Sequence, residues 1–295
     1  MKKFFLFFII FKAFLAKELT IFYTTNFYNN YDSIIVKGKT VGGVVGLKSK
    51  LDELKLKYPN SLKIHLGETK KIEQREEFEN YLNILENFKF NVLAVDINQA
   101  KNNIKNLPFV SCNIFNEKEE FASKFDKYKN FYIDNNKISV IGVSDPTFEK
   151  GNKFDDNLGN LKIKEPIIEL KRVLELIKRN FDPHIIIILS TFNSNEFIKI
   201  LQENKNIVLL LQNPEKINNL KALENKYIIG NKIREHEIGL INLKIEGNEI
   251  IDYKTEVMQV ITNKKSPIED NEQEQKDELK GNKEDEEIRR IVENF

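Results

Sequence analysis

LTIFYTTNFYN, Leu19 to Asn29, is the stretch on which the fold turns. Leu19, Ile21 and Tyr23 alternate with Thr20, Phe22 and Thr24, a β-branched and aromatic run that reads as a buried strand. It breaks into a polar loop of Thr25, Asn26, Tyr28, Asn29 and Asn30. In α/β sheets ligands bind beyond the carboxyl ends of the strands, so this first strand should deliver Asn26 and Tyr28 to a site.

The elements that follow repeat the pattern. Gly42 and Gly43 open a helix to about Tyr58, with Leu47, Leu51 and Leu54 at helical spacing and Pro59 to stop it. Leu62 to Leu66 reads as a strand running into Gly67 and Glu68, and Glu73 to Asn87 as a charged helix burying Phe78, Leu82 and Leu85. Val92 to Val95 is a strand that opens into Asp96, Ile97, Asn98 and Gln99. Pro108 to Ile114 reads as one more strand, and Phe131 to Ile133 with Ile138 to Val143 as a hairpin turning on Asn135 and Asn136. Pro166 begins an amphipathic helix. Ile185 to Leu189 and Ile207 to Leu211 are continuous apolar runs of the kind buried on both faces of a sheet, ending in Ser190-Thr191 and Gln212-Asn213. Asn193 with Glu196 forms a capping box between them, and Ile238 to Ile245 with Glu249 to Val257 a hairpin on Gly247 and Asn248. The alternation predicts an α/β protein, a layered β-sandwich flanked by helices.

Composition bounds the rest. The 46 basic residues nearly cancel the 45 acidic ones and are mostly Lys, which suits neither bidentate phosphate nor guanine recognition, so no nucleic-acid polymer is expected as a partner. Lys2 and Lys3, the apolar run Phe4 to Phe11, and AFLA at Ala13 to Ala16 have the form of a secretory leader, with a retained N-terminal anchor as the alternative. Removing residues 1 to 16 takes the formal net charge from +1 to −2. No transmembrane span is expected beyond that leader. Cys112, the only cysteine, can form no internal disulfide and is expected as a small buried residue. From Asn263 the chain carries 11 acidic and 7 basic residues in 33 and lacks the apolar content to fold alone. The expected division is therefore a leader at 1–16, one domain at 17–262 and a flexible charged tail at 263–295.

Several segments together resemble the metallophosphatase domain of bacterial periplasmic 5'-nucleotidases, within the calcineurin-like phosphoesterases. LTIFYTTNFYN is similar to the family's first strand with Asp-x-His; Gly42-Gly43 with Leu47 to its Gly-Gly-x-x-x-Leu helix start; IHLGE, Ile64 to Glu68, to its Gly-Asp segment; and LAVDINQ, Leu93 to Gln99, to its Gly-Asn-His-Glu segment. LPFVSCNIF, KISVIGVSDP and IGLINLKI resemble three further strands, IIILST falls where the family has Ser-His, and LLLQNP where it has Gly-His-x-His. The likeness spans about residues 18 to 260 and implies a metallophosphoesterase-like fold.

The resemblance also implies a ligand set, and this chain departs from it. The family's two metals are held by Asp, His, Asp, Asn and three more His; the matching positions here are Asn26, Tyr28, Glu68, Ile97, Thr191, Gln212 and Pro214, with Asn98 at the catalytic His position. Two divalent ions need anionic ligands and imidazoles to offset their hydration and mutual repulsion, and without them nothing activates the attacking water. None of the three histidines stands where the family needs one: His65 is inside a strand, His184 at a strand's start and His236 in a late charged turn. The expectation is a pseudoenzyme with no cofactor and no catalytic residue, a binding or scaffolding protein of the cell envelope, periplasmic or extracellular, whose partner is an envelope protein or small ligand. Its site would be vestigial, made of Asn26, Tyr28, Glu68, Asp96, Asn98, Thr191 and Gln212. The alternative is a metal-dependent phosphoester hydrolase with rearranged ligands, in which Glu68 and Asp96, with Asn26 and Asn98, hold one Mg²⁺ or Ca²⁺. On the plainer view Glu68 and Asp96 are solvated loop residues or helix caps. A third reading is a small-ligand binding module.

Overall fold

Two β-sheets stack face to face, and each is covered on its outer side by helices. The computed structural model describes residues 17–26, 33–36, 39–68, 72, 74–95, 107–115, 125–146, 161–192, 194–212, 227–230, 232–234, 236–246 and 249–261. The proposed leader, the tail from 263, and Tyr28, Asp96, Asn98 and Pro214 lie outside them.

The first sheet is built on β1 (Lys17–Thr24), which pairs parallel with β4 (Ser61–His65) and antiparallel with β14 (Glu237–Glu246). With β5 (Val92–Ala94), β6 (Phe109–Val110) and β15 (Glu249–Gln259) its order is β15-β14-β1-β4-β5-β6. The second sheet consists of β8 (Tyr128–Ile133), β9 (Asn136–Val143), β11 (Ile185–Ser190), β12 (Ile207–Leu211) and β13 (Ile228–Ile229), in the order β13-β12-β11-β9-β8. A short hairpin of β2 (Ser33–Val36) with β3 (Lys39–Gly42) precedes the first helix. β7 (Ile114–Phe115) pairs with β10 (Lys162–Ile163) apart from both sheets.

Strand alternation sorts side chains into three cores. Leu19, Ile21, Tyr23, Leu62 and Ile64 face inward against Ile138, Val140, Ile187, Leu189, Val208 and Leu210 of the second sheet. On the outer side of the first sheet, Phe22 packs with Leu47, Leu51 and Leu54 of α1 (Val44–Lys57) and with Phe78, Tyr81, Leu82 and Leu85 of α2 (Arg75–Phe88). On the outer side of the second, Ile186, Ile188 and Leu209 meet Ile167, Leu170, Leu174 and Ile177 of α3 (Pro166–Asn180) and Phe197 and Ile200 of α4 (Glu196–Glu203). Both faces of the central strands are thus covered, which explains their unbroken apolar sequence. Cys112 is fully buried, and burial pushes its thiol far above the ordinary range.

Three expectations shift locally. Pro108 to Ile114 is not one strand: Ser111, Cys112 and Asn113 break it into β6 and β7. Asn113 accepts the Ser144 N–H at 2.9 Å and donates to the Ser144 carbonyl at 2.8 Å, so this polar side chain takes the place of a ladder. The β8–β9 hairpin turns on Asp134 and Asn135, both at positive φ (50° and 61°) as a type I′ turn requires, while Asn136 already belongs to β9. The N-cap of α4 is Asn195, without a side-chain cap bond; Ser194 Oγ instead accepts the Glu196 N–H, and Asn193 lies outside the described residues. The short strands β2, β3, β10 and β13 carry too little pattern to be read from sequence. Pro166 does stand at the first turn of α3, where the Glu165 side chain accepts from Ile168 N.

The sheets meet most closely where β9 crosses β6. A Cβ on Gly142 would lie 2.0 Å from the Val110 carbonyl oxygen, while the Gly142 carbonyl accepts from Cys112 N at 2.8 Å. Gly142→Ala should therefore lower unfolding stability by about 3 kcal/mol, the upper end of what overpacking costs. Urea denaturation checks this, and an unchanged midpoint would show that the strands part there freely.

Candidate functional site

The parallel strands of both sheets run toward the same end, and their terminal loops interlock there. At the end of β1, Asn26 adopts a left-handed backbone (φ 54°) and its N–H donates to the Gly67 carbonyl at 3.1 Å. Thr25 Oγ1 donates to the same carbonyl at 3.1 Å. Gly67, after β4, is itself left-handed (φ 83°). A Cβ placed on it would sit 3.4 Å from the Ala94 carbonyl oxygen of β5 and 3.6 Å from Gln212 Nε2, which comes from the other sheet. Gly67 is thus the point where the ends of β1, β4, β5 and β12 come together, and only glycine holds that φ without strain.

Gln212 is fixed through its backbone, its N–H donating to the Ser190 carbonyl at 2.9 Å, and is 6% exposed. Its side-chain Nε2 is buried with no hydrogen-bond partner among the described residues. Thr191, one strand over, is buried, and its Oγ1 accepts the Asp145 N–H at 2.9 Å. Ser144 closes the ring, donating through Oγ to the Val95 carbonyl at 2.6 Å. The structure therefore brings Asn26, Gln212 and Thr191 to one rim.

Glu68 behaves differently. It is 3% exposed, so it is neither a solvated loop residue nor an exposed cap. Its carboxylate reaches His65 Nε2 at 3.2 Å, the same nitrogen lying 3.2 Å from the Tyr81 hydroxyl, while Thr24 Oγ1 is 2.9 Å from His65 Nδ1. An ionised carboxylate only accepts, so a neutral His65 carries its proton on Nε2 and leaves Nδ1 to accept from Thr24. The His65 ring also packs on Phe90, 5.4 Å between centroids, which places the pair on the helix side of the first sheet. Sequence reading set His65 aside as a strand residue and missed this pairing. The signal was IHLGE itself, where Gly67 lets the chain double back and return Glu68 to the imidazole three residues earlier.

The described residues of the rim do not by themselves fit a two-metal centre. Asn26 and Gln212 are amides, the Thr191 hydroxyl is engaged with a backbone N–H, and Glu68 is paired with His65. Among the described residues no three His, Cys, Asp or Glu side chains are grouped closely enough to hold a metal ion.

Comparison with known proteins agrees with this architecture. The sequence matches no protein-family model and no curated protein. Solved structures match clearly, and they define the class: the chain has the fold of the metallophosphatases. It is similar to the calcineurin-like phosphoesterase YfkN from Bacillus subtilis, with a TM-score of 0.65, 13% identity, and 95% of this chain and 98% of that chain covered. It is similar to the 5'-nucleotidase precursor from Thermus thermophilus, with a TM-score of 0.64, 15% identity, and 83% and 55% covered. The NAD nucleotidase of Haemophilus influenzae matches with a TM-score of 0.59, 18% identity, and 82% and 49% covered. The chain thus spans about half the length of these two nucleotidases.

Two stability measurements separate the roles at the rim. A buried donor without a partner costs about 1–3 kcal/mol, so Gln212→Met should leave unfolding stability unchanged or raise it. Glu68→Ala strips the His65 N–H of a buried acceptor and should lower stability by about 1–3 kcal/mol. Urea titrations of both variants check this; a Gln212→Met protein weakened as much as Glu68→Ala would show the amide to be structural.

Proposed function

We propose that this chain is a catalytically silent relative of the metallophosphatases, exported to the cell envelope, where it works by binding rather than by hydrolysis. The observation that carries this reading is the donor set at the strand ends. The β1 end presents an amide at Asn26, the β12 end an amide at Gln212 and the β11 end a committed hydroxyl at Thr191. Activating water at neutral pH between two metals requires anionic ligands that offset the repulsion of the ions. Among the described residues, Glu68, the carboxylate that follows β4, is held by His65 on the helix side of the sheet. The leader-like residues 1 to 16 support export, and no helix among the described residues is long and apolar enough to cross a membrane.

The test is metal analysis with an activity assay. After equilibration with Mn²⁺ and desalting, the protein should retain no stoichiometric metal and should hydrolyse neither p-nitrophenyl phosphate nor nucleoside monophosphates above the metal-only rate. Two ions per chain, with turnover abolished by Glu68→Ala or Asp96→Ala, would overturn the reading in favour of a hydrolase with rearranged ligands. A ligand-induced rise in melting temperature without turnover would assign the binding to the rim itself.

A further inference from the structure

Away from the strand ends, the first sheet stops at a strand that nothing described covers. β15 is eleven residues long, pairs on one side with β14, and has no strand on its other side among the described residues. A long edge of unpaired N–H and C=O groups is a template for another strand unless charge, proline or a bulge blunts it; β15 is bulged at Ile251, so the regular template is the stretch from Asp252 to Gln259. Beside it, between β15 and the second sheet's own edge strand β13, the sandwich opens into a cleft of about 430 Å³ lined by Leu201, Ile207, Tyr227, Ile228, Ile250 and Tyr253, among others. Ile251 is 51% exposed, Val257 38% and Ile261, just beyond the strand, 49%.

The sequence of this edge is self-complementary in a register centred on Thr255. Tyr253, Thr255 and Val257 pair with Leu243, Ile241 and Gly239, so they share the inward face, while Asp252, Lys254 and Glu256 occupy the other. We propose that β15 is a homodimer interface, in which two copies pair antiparallel about a two-fold axis at Thr255 and fuse their six-stranded sheets into one. That register sets Lys254 opposite Glu256 of the second copy twice over, Tyr253 opposite Val257 and Thr255 opposite itself. Opposite-charge, aromatic to β-branched and Thr–Thr pairs are the cross-strand combinations that stabilise antiparallel sheets. Centring one residue earlier puts Lys254 against itself and Asp252 against Glu256; centring on Asp252 or Glu256 opposes like carboxylates. Centring on Tyr253 also opposes Asp252 and Lys254, but it leaves Glu256 with no cation opposite. The two-fold makes the contact closed and isologous, so it ends at two copies instead of growing into a filament.

Cysteine crosslinking in the full chain tests both the contact and its register. The native Cys112 is fully buried and gives no background. Directly opposed residues in an antiparallel pair have Cα atoms about 4.5–5.5 Å apart, within disulfide reach. Two Ile251 positions would lie about eight residues, or roughly 26 Å, apart. Under mild oxidation Thr255→Cys should run as a covalent dimer and Ile251→Cys, although more exposed, as a monomer. Adding Lys254→Glu to Thr255→Cys should abolish the crosslink, and adding Glu256→Lys as well should restore it. Circular dichroism confirms that each variant is folded. Equal crosslinking at both positions, or charge reversal without effect, overturns the proposal. So does a wild-type chain that sediments as a monomer; slow amide exchange along β15 in that monomer would give the edge to a segment of the same chain.

Discussion

The close approach of β6 to β9 is the constraint from which the rest of the molecule follows. Backbone touches backbone at Val110 and Gly142 because Gly142 carries no side chain, and this fixes how the two sheets face each other. Once they are so placed, the ends of β5 and β9 are near enough for Ser144 to reach the Val95 carbonyl. The ends of β4 and β12 are near enough for Gln212 to lie against Gly67. Six strand ends from two sheets, those of β1, β4, β5, β9, β11 and β12, are thereby held within one rim by short contacts, and none of those named is a charged pair. A scaffold of this kind stands independently of what its rim is made to hold.

That independence would let the fold persist under the loss of chemistry proposed above. A metal cluster that also held the sheets together could not be lost without unfolding the domain. Here Asn26 and Thr25 tie β1 to the Gly67 carbonyl, and Asn113 ties the loop after β6 to Ser144, so the loops are secured by neutral hydrogen bonds. The buried carboxylate that follows β4, Glu68, has been drawn into a second structural network with His65, Tyr81 and Thr24. Gln212 is the exception, a buried amide that carries a desolvation penalty without a compensating bond among the described residues.

Much of this was legible in the sequence. The long apolar runs, Ile185 to Leu189 and Ile207 to Leu211, could only be strands covered on both faces, and the stretch from Leu19 gave β1 with its loop in the right place. Convergence of Asn26, Thr191 and Gln212 followed from the rule that sites lie beyond parallel strand ends. What escaped was local and set by tertiary contacts. Pro108 to Ile114 reads as one apolar run because nothing in it reveals that Asn113 will bond to a loop 31 residues away. Glu68 reads as a loop carboxylate because its burial depends on helix α2 bringing Tyr81 over the end of β4. A one-residue displacement of the β8–β9 turn came from three consecutive residues, Asp134, Asn135 and Asn136, all suited to positive φ, of which only two are used.

The two ends of the molecule place different demands on the same sheet. At the rim the central strands β1, β4 and β5 have their edges satisfied, and the interest lies in which atoms their loops present. At the other margin β15 has a described strand on one side only, and its side chains alternate between an apolar and a charged face. A sheet can extend at its edge without altering the register of its centre, because each added strand reads only its neighbour. Association through β15 would therefore leave the geometry at Gly67 untouched and give a dimer with two separate rims. Under the binding role proposed above, two sites held on one rigid sheet would gain effective concentration that neither has alone.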